Sequence, residues 1–285
     1  MRGGTLPRTW LQEAALLTRA TALVSMLVFP AAACADNLAD CTQRFDLLRT
    51  IEGCTRIIEN GPTDSRQSAM AFNNRGNAIE AMQDVGKALA DYGRAIVIDP
   101  SYAPAYYNRG STYLAAGRHG LAILDFDRAI ELDPGLVQAN INRGLSRLES
   151  GLLEGAADDF SAAIALDPTS AIAHNNRGVV WQRMGKITRA LDDFTRAIEL
   201  DGAYGSALRN RARSYVQIGD LTSAIADYSK AIASQPLLVD ALIGRAQAYE
   251  LAGQRAEALA DYERAHQLKP SDTTLGAVER SPSQR

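Results

Sequence analysis

The segment Ala103–Leu136, APAYYNRGSTYLAAGRHGLAILDFDRAIELDPGL, carries the pattern from which the rest of the chain is read. Its landmarks are Tyr106, Gly110, Tyr113, Gly117, Ala122, Phe126, Ala129 and Pro134, and they recur at a step of 34 residues on both sides. A fixed period of this length marks a repeat array, in which each unit is one supersecondary element that cannot bury its apolar face alone.

Six full units follow one another: 69–102, 103–136, 137–170, 171–204, 205–238 and 239–272. Each has a small residue in its first helical half: Gly76, Gly110, Gly144, Gly178, then Ala212 and Ala246. Each has an alanine early in the second half, an aromatic four residues on (Tyr92, Phe126, Phe160, Phe194, Tyr228, Tyr262), and a second alanine after that. Small residues let two helices cross closely, and the aromatic fills the space beside the crossing. Gly117, Gly151, Gly185, Gly219 and Gly253 fall where a left-handed residue would end the first helix, with Gln83 in that place in the first unit. Pro100, Pro134, Pro168, Pro236 and Pro270 close the units, with Gly202 the departure; a proline there stops the second helix from continuing.

With these landmarks in register, residues 69–272 resemble the tetratricopeptide repeat family. The resemblance implies an all-α fold, a right-handed superhelical solenoid of antiparallel helix pairs whose first helices line a concave groove. It also implies a protein that binds other proteins or peptide segments there.

The segment 36–68 reads as a degenerate helical pair covering the end of the array. Leu47, Leu48, Ile51, Cys54, Ile57 and Ile58 recur at helical spacing, and Asn60-Gly61-Pro62 is a stop. Ser68 is the expected cap of the next helix. Ahead of it, Arg2, Arg8 and Arg19 precede the apolar run Ala20–Phe29 and the small residues 31–35. That order is the signature of a secretory signal peptide over 1–35, since ten residues rise only ~15 Å as a helix, about half a bilayer core. Cleavage after Ala35 removes Cys34 and leaves Cys41 and Cys54, which would pair in an oxidising compartment. Two separate buried thiols are the alternative. The expected location is the periplasm. A lipid-anchored envelope protein is the alternative, because Ala32-Ala33-Cys34 resembles a lipobox. Membrane attachment is expected only if Cys34 is lipidated. Residues 273–285 read as a polar, disordered tail.

Composition narrows the function. The chain has 285 residues, 46% hydrophobic and 22% charged, with a net charge of −3 and no block of like charge. Nucleic acid is therefore not an expected partner. His119, His174 and His266 are scattered and match no metal-ligand spacing, and no nucleophile elbow, phosphate loop or dinucleotide fingerprint occurs. No metal or cofactor and no catalysis are expected.

Two charged ladders keep the period: Arg75, Arg109, Arg143, Arg177, Arg211 and Arg245, and Asp91, Asp125, Asp159, Asp193, Asp227 and Asp261. Equal number and period favour pairing of each guanidinium with a carboxylate on an adjoining helix over an anion-binding row. A third ladder, Asn74, Asn108, Asn142, Asn176 and Asn210, stands one residue before the arginines and becomes Gly244 in the last unit. The resemblance places it in the groove, where side-chain amides can both donate to and accept from an extended peptide. The same amides could instead brace neighbouring helices.

Tyr107, Arg209 and Arg213 complete the candidate peptide-binding set, with Arg183 nearby and Glu80, Glu149, Asp240 and Glu250 mixing the sign. The lysines and arginine of the family's carboxylate clamp are missing beside Asn73, Asn77 and Tyr107. The expected function is a non-catalytic interaction scaffold or adaptor of the cell envelope. The alternative is a membrane-tethered structural component, or one that self-associates through its last repeat as a homo-oligomer.

Overall fold

The structure, a computed structural model, describes residues 31–43, 45–61 and 64–269. The expected signal segment lies outside these residues up to position 30, and the expected tail 273–285 lies outside them altogether. The described residues form fourteen α-helices and no strands.

In chain order the helices are α1 (Ala31–Thr42), α2 (Leu47–Asn60), α3 (Ser65–Ala81), α4 (Val85–Ile98), α5 (Ala103–Ala115), α6 (His119–Leu132) and α7 (Val137–Glu149). They continue as α8 (Leu153–Leu166), α9 (Ala171–Arg183), α10 (Ile187–Leu200), α11 (Gly205–Ile218), α12 (Leu221–Ser234), α13 (Val239–Leu251) and α14 (Arg255–Leu268). The fold class is the expected all-α solenoid of helix pairs. The chain divides into two compact units, 1–105 and 106–285.

In the first unit α1 packs on α2, α2 on α3 and α3 on α4. Cys41 and Cys54 form a disulfide between α1 and α2. Both are fully buried, with Ile57 and Ala71 beside them. The two helices cross closely because Gly53 has no side chain; a Cβ there would lie 2.5 Å from Cβ of Asp40. Asp46 caps α2 by accepting from the backbone N–H of Arg49 at 3.0 Å. Helix α3 begins at Ser65, not after Ser68. Its cap is Asp64, whose carboxylate accepts from the Gln67 N–H at 2.6 Å, while Ser68 is buried inside the helix.

In the second unit successive helices from α6 to α14 pack in sequence order. The repeat core is an aromatic ring held against a glycine. A Cβ added to Gly144 would lie 2.8 Å from the Phe160 ring, and one on Gly178 would lie 2.6 Å from Phe194. The four rings of Tyr92, Phe126, Phe160 and Phe194 are fully buried, each worth roughly 2–3 kcal/mol of apolar burial. Between the two helices of a repeat, the glycines at 117, 151, 185, 219 and 253 have φ of +69° to +81°. Gln83 adopts φ +66° at the same place in the first repeat.

The two charged ladders pair completely. Each arginine on a first helix meets the aspartate sixteen residues on, in its own repeat's second helix, at 2.7–2.8 Å. In the second unit Nη1 of Arg143, Arg177, Arg211 and Arg245 also donates back across to the preceding repeat. The acceptors are Asp127, Ser161, Thr195 and Ser229, at 2.6–3.1 Å. One planar guanidinium thus fixes both the crossing within a repeat and the step between repeats. The ladder is scaffold.

Candidate peptide-binding face

The asparagine ladder lies on the first helices, and most of its members reach back to an earlier first helix. Asn74 donates to the backbone carbonyl of Cys41 at 3.2 Å, tying α3 to the disulfide. Asn142 donates to Ser111 Oγ at 3.3 Å and to the Tyr107 hydroxyl at 3.5 Å. Asn210, which is buried, donates to Asn175 Oδ1 at 3.0 Å. Asn108 is half-buried, and its backbone carbonyl accepts from Thr112 Oγ1. The amides of Asn74, Asn142 and Asn210 therefore brace neighbouring helix pairs, and what they still present to a ligand is the remainder of their hydrogen-bonding capacity. Tyr107 lays its ring 6.1 Å from that of Phe126, so its edge is a wall rather than a free arm.

Clefts hold Asn74 in the first unit and Asn176, Asn210, Arg209 and Arg213 in the second, whereas Tyr107, Asn108 and Asn142 lie outside these clefts. In the first unit a cleft of about 490 Å³ is lined by Gln43, Thr50, Met70, Asn74, Asn77 and Tyr102, among others. Beside it the Tyr92 hydroxyl donates to Glu80 Oε2 and also lies against the Asn77 amide, each contact at 2.8 Å.

In the second unit a cleft of about 410 Å³ between α9 and α11 brings together Asn176, Asn210, Arg209 and Arg213 with Arg183 and Tyr204. Its floor is a chain of buried polar groups. Gln182 Nε2 donates to Ser214 Oγ at 2.9 Å, Asn210 donates to Asn175, and Asn175 Nδ2 donates to Asn176 Oδ1 at 3.2 Å. A neighbouring cleft of about 300 Å³ between α11 and α13 shares Arg209 and Arg213 and adds Tyr228, Asp240, Ile243 and Gly244.

The arginines differ in how far they are engaged. Arg183 lies 3.4 Å from Glu149, and Arg209 lies 3.1 Å from Asp240. Arg213 is exposed and forms no ion pair among the described residues. Pairs this open to water contribute little to stability, so the guanidiniums remain available to a better partner. Burial pushes the Tyr228 phenol above its ordinary value, against the opposing pull of Arg213 and Arg209.

Asn175, Gln182 and Tyr204 are site residues that the sequence reading passed over. Gln182 had a signal: it takes the place in its repeat held by Leu114, Leu148 and Val216 in others. The described residues contain no group of three or more metal-ligating side chains and no helix long and apolar enough to cross a membrane.

Tetratricopeptide repeat family models match residues 103–136 and 171–204, 76–117 and 144–185, and 209–273. No curated protein matches the chain. Among solved structures, MamA is 26% identical over 58% of this chain and 96% of its own, with a TM-score of 0.52. PilW, a widely conserved type IV pilus biogenesis factor, is 21% identical over 75% of this chain and 99% of its own, with a TM-score of 0.68. YrrB, a TPR protein with an unusual peptide-binding site, is 20% identical over 66% of this chain and 97% of its own, with a TM-score of 0.53.

Proposed function

From the premise that this chain belongs to the tetratricopeptide repeat family, a family of protein-interaction scaffolds, we propose that it is a non-catalytic adaptor of the cell envelope. It holds extended segments of partner proteins on the face of its first helices. The observation that carries this reading is the cleft lined by Asn176, Asn210, Arg209 and Arg213. Its amides suit a peptide backbone and its arginines suit an acidic side chain. The disulfide between Cys41 and Cys54 accords with an exported protein.

Site-specific photocrosslinking from the exposed positions Gln138 and Arg213 on first helices, against Arg196 on a second helix, tests the proposal. Partner adducts are expected from the first two positions and not from the third. Adducts only from Arg196, or from none of the three, would overturn the assignment of this face.

A further inference from the structure

Three tyrosines occupy the second-helix aromatic position of their repeats, and two of them satisfy their hydroxyls within the chain. Tyr92 donates to Glu80 at 2.8 Å and Tyr262 donates to Glu250 at 3.0 Å, in each case the residue twelve positions earlier. For Tyr228 that position is Val216. Its ring is 4% exposed, yet its hydroxyl has no hydrogen-bond partner among the described residues. The ring is turned toward Gly244, which lines the smaller cleft together with Arg209 and Arg213. The hydroxyl opens onto this cleft beside two guanidiniums and lacks the carboxylate that its counterparts have.

The polar floor of the adjoining cleft points the same way. Asn210 donates to Asn175, and Asn175 donates to Asn176 Oδ1. In that direction Asn176 Oδ1 accepts, and its Nδ2 amide has no acceptor among the described residues. The two clefts share the Arg213 guanidinium and the remaining N–H groups of Arg209; the first adds the donor Asn176 Nδ2 and the second the Tyr228 hydroxyl. The charges around them are Arg183, Arg209 and Arg213 against Glu149 and Asp240, three against two. A net excess of one matches a single carboxylate, whereas a phosphate carries about −1.5 to −2.

We infer that the cleft between α11 and α13 forms a carboxylate-binding site for a peptide, with Tyr228 and Arg213 donating to the carboxylate, Ile243 packing against an adjacent apolar residue of the ligand, and Asn176 in the adjoining cleft donating to the peptide backbone. This rests on the peptide-binding reading proposed above. It names the ligand class: an acidic side chain or a chain-terminal carboxylate beside an apolar residue. Bidentate guanidinium pairing and a phenolic donor are the contacts that a carboxylate uses best.

The test is an NMR titration of the full chain with ring-labelled tyrosine, with Tyr228 assigned by the signal lost in Tyr228→Phe. That variant keeps the ring found at Phe126, Phe160 and Phe194. The probes are acetyl-leucyl-glutamyl-leucine amide, its glutaminyl counterpart, acetyl-leucyl-leucine with a free carboxylate, and inorganic phosphate. A saturable Tyr228 shift is expected with the glutamyl or the free-carboxylate peptide, and the tighter of the two identifies the source. Arg213→Gln should weaken it about tenfold, and the exposed control Arg196→Gln should leave it unchanged.

Equal binding of the glutaminyl peptide would remove the carboxylate site and leave peptide binding standing. Saturable carboxylate binding, with no partner crosslinked on the first-helix face, would keep the site and remove the scaffold reading. Tighter binding of phosphate, or no saturable shift with either carboxylate, would overturn the inference.

Discussion

A Cβ placed on Gly244 would stand 2.5 Å from the Tyr228 ring. The asparagine ladder ends there because the aromatic of the preceding repeat occupies the space of the missing amide. Ala212, standing where earlier repeats have glycine, accompanies this displacement of the ring. Gly244→Asn should therefore destabilise by about 1–3 kcal/mol through overpacking. Tyr228→Leu in the same chain should recover most of that loss, as read by urea midpoints of the two single variants and the double. Additive losses would show that ring and amide do not compete.

Asp227→Asn tests the arginine ladder. Arg211 Nε and Nη2 donate to Asp227 at 2.7 and 2.9 Å, and both side chains are mostly buried. Removing the charge leaves the buried guanidinium without a counter-ion, with the amide oxygen of the new asparagine and Thr195 as its acceptors. A loss of about 3 kcal/mol is expected in equilibrium unfolding. A loss below about 1 kcal/mol would place this pair with ordinary surface ion pairs.

The disulfide closes a thirteen-residue separation in the first unit. Its removal by Cys41→Ala with Cys54→Ala should cost about 3 kcal/mol in the chain-entropy model. Hydrogen exchange should rise in α1 and α2 and, through the Asn74 bond to the Cys41 carbonyl, at the start of α3. Exchange that rises equally in α12 and α13 would contradict this localisation.

Gln83 sits at φ +66° where the other repeats use glycine. Gln83→Gly relieves a side chain in the left-handed region and should stabilise by about 1 kcal/mol. A higher urea midpoint with an unchanged slope is the expected observation.

Tyr262 supplies a pH dependence. Burial, and then its hydrogen bond to Glu250, push the phenol up to about 12. A raised value means the fold favours the protonated form, so this contribution is complete below the ordinary value of about 10. It is then lost as pH rises through about 12. The stability advantage of the native chain over Tyr262→Phe should accordingly shrink between about pH 10 and pH 12. Parallel pH profiles for the two proteins would refute it.

The fold was legible in the sequence because its determinants are steric and recur. Gly110 with Phe126, or Gly178 with Phe194, can be read from spacing alone, since each pair has one geometric purpose. The start of α3 was misplaced because Asp64 and Ser68 are both good caps and the letters do not rank them. The residues two positions after the ladder aspartates, Asp127, Ser161, Thr195 and Ser229, were visible as a period. Their bond to the next repeat's arginine was not, because a short polar side chain on a helix surface usually faces water.

The site was least legible. An asparagine has the same letter whether its amide meets a ligand or the next helix. The direction of the Asn210, Asn175, Asn176 relay exists only in three dimensions. The mismatch of Tyr228 with Val216 carries meaning only once Tyr92 has been seen bonded to Glu80.

The backward bond from Arg143, Arg177, Arg211 and Arg245 has a consequence for how such a chain can change length. Excising residues 171–204 would bring Arg211 opposite Ser161, the partner that Arg177 already uses at 3.1 Å. The joint would close with chemistry the molecule has in stock, and duplication of a repeat would close just as readily. The same excision would delete Asn175, Asn176 and Arg183 and dismantle the cleft they line. Length in this protein is interchangeable in steps of one repeat, whereas what it grips belongs to one particular junction.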